Sequence, residues 1–164
     1  MTEHAFGEFY RQHARSVWAY VYRTTANAAD ADDIVQEAFI RLYNVELPGR
    51  TDEEMRKYLF RIAGNLVADR WRRSRREQAR RQRVQEERER RPVPSGNPDV
   101  ARTFAALKPR ERALLWLAYV EGHDHQQIAQ SLRLAHGSVK VLLSRARARL
   151  RDLLQARGVD KRPT

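Results

Sequence analysis

Three prolines lie within the seven residues 92–98, PVPSGNP, a little past the middle of the chain. Proline lacks a backbone N–H and fixes φ, so a helix cannot continue through such a segment. The stretch on either side is shorter than 100 residues, and each must build its own small core. The break predicts two domains, at residues 1–76 and 99–164, joined by a linker at residues 77–98.

The N-terminal stretch carries three apolar patterns with helical spacing. The first predicts a helix over about residues 4–25, and the polar, acidic segment 27–33 suits the N-terminus of the second helix. Thr51 with Glu54 forms a capping box that opens the third. The three stripes consist of Phe6, Phe9, Tyr10, Val17, Tyr20 and Val21, then Ile34, Val35, Ala38, Phe39, Leu42 and Tyr43, then Met55, Tyr58, Leu59, Ile62, Ala63, Leu66 and Val67.

The C-terminal stretch is also predicted to be helical. Pro109 suits the first turn of a helix that ends near Gly122, and Asp124 with Gln127 suits the start of the next. A last helix is expected over about 137–157, and no segment alternates as a strand would. The predicted fold class is all-α, with an N-terminal helical bundle and a C-terminal helix-turn-helix domain on a flexible, basic, proline-containing tether. Whether residues 77–91 are a solvated helix or disordered stays open.

The formal charge of +11 predicts a polyanionic partner, either nucleic acid or an anionic membrane surface. Residues 1–69 carry 8 basic and 11 acidic side chains, whereas residues 70–91 carry 11 and 4 and residues 133–164 carry 9 and 2. Two separate basic blocks favour two contacts on a long polyanion. No apolar run reaches the roughly 18–20 residues that span a bilayer, so we expect a soluble, cytoplasmic protein without membrane insertion.

The chain contains no cysteine, which excludes disulfides, thiolate metal sites and cysteine nucleophiles. His123, His125 and His136 lack a cysteine or carboxylate at ligand spacing, so no metal and no cofactor is expected. The Ser and His residues show no triad or nucleophile-elbow context, and the chain is not expected to be an enzyme.

The strongest motif is a helix-turn-helix at residues 125–145. Ala129 is small where the two helices must pack closely, and apolar residues with the right offsets predict the inner face: Ile128, Leu132, Leu134, Val139 and Leu142. The outward face of the second helix is predicted to reach DNA through Ser138, Lys140, Val141, Ser144, Arg145 and Arg147. The alternative is an amphipathic hairpin with a solvated basic face.

The turn of this motif departs from the usual pattern at two positions. Arg133 stands where glycine normally adopts a left-handed backbone, and Ala135 stands where a serine cap is common. Each departure is expected to weaken the turn by about 1 kcal/mol.

Several blocks of the chain, in this order, resemble the extracytoplasmic-function sigma factors of bacterial RNA polymerase. The N-terminal blocks are 32–42, DDIVQEAFIRL, and 58–73, YLFRIAGNLVADRWRR; the C-terminal ones are 107–113, LKPRERA, the pair 121–122, the helix-turn-helix, and 144–150, SRARARL. The resemblance covers about residues 6–155. It implies a subunit that binds core RNA polymerase and directs promoter recognition and melting, with the helix-turn-helix on the minus-35 element.

The resemblance also implies roles for residues of the N-terminal half. Binding to the clamp helices of the large polymerase subunit is implied for Asp32, Asp33, Ile34, Gln36, Glu37 and Phe39. Binding to the minus-10 element is implied for Asn65, Asp69, Arg70 and Arg73, beside a base pocket formed by the loop Val45–Glu54. For Ile34 and Phe39 a core role is an equal alternative. Trp71 either stacks on a base or packs beside Val67, and the arginine run 70–76 is alternatively a solvated face.

The implied partners are core RNA polymerase, through its clamp helices and flap, promoter DNA, and an anti-sigma factor that wraps both domains. The tether is implied to occupy the polymerase cleft. Two other functions remain open: a helix-turn-helix repressor or activator that binds duplex DNA alone, and a basic amphipathic protein at a membrane surface.

Overall fold

The computed structural model describes residues 1–78 and 97–158, with side chains described as far as Ser74 in the first range. The regular structure within these ranges is helical throughout, so the all-α prediction is confirmed. Seven helices run through the described residues: α1 (Glu3–Thr25), α2 (Ala28–Tyr43), α3 (Asp52–Gln78), α4 (Pro98–Ala105), α5 (Pro109–Tyr119), α6 (His125–Leu132) and α7 (His136–Ala156).

The helices fall into two compact units. The first contains α1–α3, and the second contains α4, α5, α7 and most of α6. The described residues leave out most of the predicted linker 77–98, the last residues of the predicted second domain, and the side chains of Arg75 and Arg76. The exact domain limits remain a prediction.

Short polar signals fix the helix ends of the first unit. Asn27 caps α2 by accepting a hydrogen bond from the amide of Asp30 at 3.1 Å. The predicted capping box of α3 is confirmed, because the Thr51 amide donates to Glu54 Oε2 at 2.8 Å and the Glu54 amide donates to Thr51 Oγ1 at 3.2 Å. The amide hydrogen bond lowers the pKa of the Glu54 carboxyl below its ordinary value.

The core of the first unit lies where the three predicted stripes meet. Tyr20 and Phe60 are fully buried with their ring centroids 5.5 Å apart. The other fully buried large apolar side chains there are Val17, Val21, Leu42, Leu59 and Val67. The stripes are less buried at one end, because Tyr10 and Tyr43 are about half exposed.

The second unit is organised around the connections between its short helices. Pro109 occupies a first-turn position of α5, as its sequence context predicts, whereas Pro98, which was assigned to the linker, occupies a first-turn position of α4. Arg112 is buried and donates from Nη1 to the backbone oxygens of Ala105 and Leu107, at 3.0 and 2.6 Å, so it holds the α4–α5 turn closed. The core contains Leu107, Leu114, Leu117, Ile128, Val139, Leu143 and Ala146. In the described ranges, no helix is both long and apolar enough to cross a bilayer.

Candidate nucleic-acid and protein-binding surfaces

Helices α6 and α7 form the predicted helix-turn-helix. The α6 N-terminus carries the predicted capping box, in which the Gln127 amide donates to Asp124 Oδ1 at 2.8 Å and the Asp124 amide donates to Gln127 Oε1 at 2.9 Å. Arg133 adopts the left-handed conformation, with φ at 53°, and the Leu134 amide donates to the Ala129 carbonyl at 2.9 Å. This is the helix-ending geometry that glycine normally provides.

The N-terminus of α7 is the second departure from the usual motif. Ala135 has extended backbone at the N-cap position and offers no side-chain acceptor to the first amides of the helix. Both departures from the usual turn are therefore present in the structure, and the weakening expected from each stays a prediction.

The inner face of the motif agrees with the sequence at most positions. Ile128, Leu132 and Val139 are buried as predicted. Leu134 and Leu142 are half-buried instead, and Leu143 takes the buried place on α7. Positions 139, 143 and 146 repeat at spacings of four and three, so they define the buried stripe of this helix.

The six residues predicted to contact DNA are all exposed: Ser138, Lys140, Val141, Ser144, Arg145 and Arg147. On a period of 3.6 residues, Val141, Ser144 and Arg145 lie opposite the buried stripe, with Ser138 and Lys140 on the two flanks. Arg147 lies nearest to the buried side, and its Nη1 donates to the phenolic oxygen of Tyr119 on α5 at 2.7 Å. Arg147 is thus turned towards α5 and away from the centre of the outward face.

Helix α3 carries the four residues predicted to bind the minus-10 element. Asn65, Asp69 and Arg73 follow one another at four-residue spacing and share one side of the helix. Asn65 donates from Nδ2 to the Arg61 carbonyl at 2.6 Å. Arg70 lies beside this stripe and forms an ion pair with Asp30 on α2, with Nη1 3.4 Å from Oδ1. Arg73 is exposed.

Two roles for Trp71 were left open by the sequence, stacking on a base and packing in the core. Its side chain is half-buried, and its indole nitrogen is shielded from solvent without a hydrogen-bond partner. The burial favours packing for most of the ring.

The predicted polymerase-binding residues of α2 divide into two groups. Asp32, Asp33 and Gln36 are exposed, and Glu37 is partly exposed and forms an ion pair with Arg41 at 2.7 Å. Ile34 and Phe39 are each 3% exposed, which agrees with the core alternative. An acidic surface therefore lies over an apolar layer.

A groove of about 710 Å³ between α1 and α2 adjoins this acidic surface. Its lining is largely aromatic and apolar: Phe6, Tyr10, Trp18, Val35, Phe39, Ile40 and Tyr43, with Glu3, Asp32, Gln36 and Asn44. Tyr10, Ile40 and Tyr43 are 45–51% exposed there. Trp18 donates from Nε1 to Asp32 Oδ1 at 2.8 Å, so α1 helps to orient a predicted contact residue. This role of α1 was not predicted from the sequence. The signal for it was the aromatic residues at the outer end of the apolar stripe of α1.

The second unit has a smaller groove of about 470 Å³, which was also not predicted. It is bordered by Phe104, Leu115, Trp116, Tyr119, Val120, Arg147, Leu150, Arg151 and Leu154. Tyr119 and Val120 are about 60% exposed, so a large apolar surface faces solvent beside two arginines. No group of three or more His, Asp or Glu side chains with metal-binding geometry occurs among the described side chains, those of residues 1–74 and 97–158.

The chain matches the Sigma-70 region 2 family over residues 9–77 and the Sigma-70 region 4 family over residues 99–150. These two regions together are typical of an RNA polymerase sigma factor. The chain is 33% identical to the ECF RNA polymerase sigma factor SigL of Mycobacterium tuberculosis, over 93% of this chain and 90% of that protein. The chain belongs to the extracytoplasmic-function (ECF) sigma factor family.

Two solved structures are similar to this chain. CnrH, in complex with the cytosolic domain of CnrY, is 28% identical with a TM-score of 0.61, over 94% of this chain and 90% of that one. The sigma factor RpoE of Bartonella quintana, in complex with the anti-sigma factor NepR, has a TM-score of 0.71 at 21% identity, over 92% of this chain and 97% of that one. The RpoE likeness concerns the fold.

Proposed function

We propose that this chain binds core RNA polymerase and directs it to promoters. There it recognises the minus-35 and minus-10 elements and separates the two DNA strands. The observation that carries the proposal is the presence, in one sigma-family chain, of a helix-turn-helix with an exposed basic face and a separate unit with an acidic and apolar docking surface. A protein that only binds duplex DNA has no need of the second surface.

The minus-35 element is bound by the domain at 99–164. Ser138, Lys140, Val141, Ser144 and Arg145 lie on the outward side of α7, where a recognition helix reads base edges and phosphates. Arg147 acts from the flank of the helix, since it is hydrogen-bonded towards α5.

The minus-10 element is bound by the domain at 1–76, with residues 77–98 as the linker. Asn65 supplies an amide suited to a base edge, and Arg70 and Arg73 supply charges suited to phosphates. Asp69 completes the stripe on α3, and the loop Val45–Glu54 receives a base extruded from the stack.

Core polymerase is bound through the first unit. Asp32, Asp33, Gln36 and Glu37 contact the clamp helices, and the α1–α2 groove receives apolar side chains of the same partner. Ile34 supports this surface from the core, and Phe39 does so from the groove wall. The smaller groove of the second unit is suited to the polymerase flap.

An anti-sigma factor is a further partner of this family member, and the two exposed apolar grooves are surfaces that such an inhibitor can cover. The protein works where the polymerase is, in the cytoplasm. It contributes recognition and strand separation, and the phosphodiester chemistry belongs to the polymerase.

The test is reconstituted transcription. Core RNA polymerase transcribes a library of genomic fragments in a run-off assay, with and without the full chain. We expect discrete, promoter-dependent transcripts when the chain is present and weak binding of the same fragments by the chain alone. The absence of such transcripts would overturn the proposal. Tight binding of a palindromic duplex by the chain without polymerase would instead favour a conventional helix-turn-helix regulator.

A matched pair of variants makes the assay specific for the outward face of α7. Arg145→Ala removes a charge from the centre of that face, whereas Arg102→Ala removes an exposed charge from α4. We expect only Arg145→Ala to lower transcription, and only from promoters that contain the minus-35 element.

A further inference from the structure

His13 is a polar side chain in the interior of the first unit. It is 5% exposed, and its ring lies against Phe9 with the centroids 4.4 Å apart. Its Nε2 is 3.0 Å from Oδ2 of Asp52. An ionised carboxylate can only accept hydrogen bonds, so Nε2 carries the hydrogen and donates it. The pair satisfies a buried donor that would otherwise lose its contact with water.

Asp52 is the first residue of α3 and follows directly on the loop 45–51. The acidic first turn of α3 also contains Glu53 and Glu54, which have other partners: Glu53 pairs with Lys57 at 3.1 Å, and Glu54 forms the capping box with Thr51. Of these three carboxylates, Asp52 is the one that pairs with a side chain of α1. The His13–Asp52 pair therefore ties the downstream end of the loop to the middle of α1.

The loop itself has few other attachments. At its upstream end the Val45 amide donates to the Leu42 carbonyl at 3.3 Å. Between Glu46 and Arg50, all within the described residues, no hydrogen bond to the rest of the unit is present, and Leu47 is the one residue of these five that is partly buried. Gly49 adopts φ of 71°, which a side chain would disfavour. The position of the loop is consequently set by what holds its two ends.

We propose that His13 is a positioning residue for the minus-10 element: through Asp52 it holds the loop 45–51 where an extruded base must be received. The inference rests on the function proposed above. An untethered loop has to be ordered each time a base is bound, so its contribution to strand opening is smaller. His13 itself does not touch DNA.

Four variants separate this role from general stability. His13→Phe keeps a ring against Phe9 and removes the donor, and His13→Gln keeps a donor of similar reach. Asp52→Ala removes the acceptor from the exposed side of the pair, where the carboxylate is 54% exposed. Glu53→Ala is the matched control, because it removes one charge from the same helical turn without affecting the pair.

The first measurement needs no polymerase. Since the chain contains no cysteine and Arg50 is exposed, Arg50→Cys provides a single site for a spin label in the full-length protein. We expect His13→Phe and Asp52→Ala to increase the mobility of the label, and His13→Gln and Glu53→Ala to leave it near the unsubstituted value. Unchanged mobility in Asp52→Ala, or an equal increase in Glu53→Ala, would overturn the inference whatever the polymerase assay gives.

The second measurement uses the holoenzyme without the label. On a duplex promoter, we expect His13→Phe and Asp52→Ala to reduce transcription about tenfold, because the loop then has to become ordered when the base binds. On a template already unpaired at the minus-10 element the loss should be smaller, because base capture no longer has to drive strand separation, and the affinity for core polymerase should not change. An equal loss on both templates would show a merely structural role. If the unsubstituted chain yields no promoter-dependent transcript, the proposed function fails, and the label still decides whether the pair fixes the loop.

Discussion

Arg147 donates a hydrogen bond to Tyr119, and this contact turns one of the six predicted DNA-binding side chains along the flank of its helix. The Nη1 atom lies 2.7 Å from the phenolic oxygen, at the edge of the groove formed by α5 and α7. Arg145, two residues earlier, lies on the outward face and is exposed. Two arginines of one helix thus have different environments.

Arg145→Ala should therefore impair minus-35 recognition more than Arg147→Ala does. If Arg145 pairs with a base, its replacement should weaken promoter binding by the holoenzyme by about 1–3 kcal/mol. If Arg145 binds a phosphate, the replacement should instead reduce the salt dependence of binding by about one charge. Arg147→Ala should lose less than about 1 kcal/mol. Titrations of a minus-35 duplex at several salt concentrations measure both effects, and the reverse order would show that Arg147 leaves Tyr119 to bind DNA.

The hydrogen bond from Trp18 to Asp32 predicts that α1 contributes to polymerase binding. Trp18→Phe keeps an aromatic ring stacked on Tyr22, 5.0 Å away, and removes the donor that orients the carboxylate. A hydrogen bond of this kind is worth about 1 kcal/mol, so the affinity for core polymerase should fall about fivefold. Trp71→Phe, on another helix, is the control and should leave that affinity unchanged. Competition with a labelled holoenzyme measures it; equal affinities for Trp18→Phe and the unsubstituted chain would contradict the prediction.

The His13–Asp52 pair predicts an asymmetry in stability. Asp52→Ala leaves the buried Nε2 donor unpaired, which costs about 1–3 kcal/mol, whereas His13→Phe leaves a carboxylate that water can solvate. Asp52→Ala should therefore destabilise the first unit more than His13→Phe does. Urea unfolding followed by Trp18 fluorescence, in a background of Trp71→Phe and Trp116→Phe, isolates this unit. A larger loss for His13→Phe would mean that ring packing outweighs the hydrogen bond.

Local features were predictable from the sequence because their causes are local. The Thr51–Glu54 and Asp124–Gln127 boxes each span four residues, and the left-handed Arg133 follows from its place in the turn. No tertiary information is needed for such signals.

Contacts between helices were not predictable in the same way. Trp18 lies 14 residues from Asp32, and His13 lies 39 residues from Asp52. Such pairs depend on how each helix is rotated about its axis and on how two helices cross. The hydrophobic periodicity of the sequence fixes that rotation only to within one residue. The exchange of Leu142 for Leu143 on the buried side of α7 is an error of this size.

The capping box of α3 predicts a weak acid dependence of stability. The Thr51 amide lowers the pKa of the Glu54 carboxyl, so the carboxylate is favoured in the folded state. Its contribution is present above the carboxyl pKa of the unfolded chain and is lost as the pH falls through the lower pKa of the folded state. Glu54→Gln should reduce the decrease in the free energy of unfolding as the pH falls, and Glu53→Ala should not. Urea unfolding between about pH 3 and pH 6 tests this, and equal slopes for Glu54→Gln and the unsubstituted chain would contradict it.

The uncapped N-terminus of α7 predicts a stabilising substitution. Ala135 has the extended backbone of an N-cap, and a serine there could accept a hydrogen bond from the amide of Gly137 or Ser138. Ala135→Ser should raise the free energy of unfolding of the second unit by about 0.5–2 kcal/mol. Ala148→Ser makes the same chemical change at an exposed interior position of α7, where it should destabilise by about 0.5 kcal/mol. Urea unfolding followed by Trp116 fluorescence, with the other two tryptophans replaced by Phe, compares the variants. Equal effects of the two serines would show that the helix start is already satisfied by another contact.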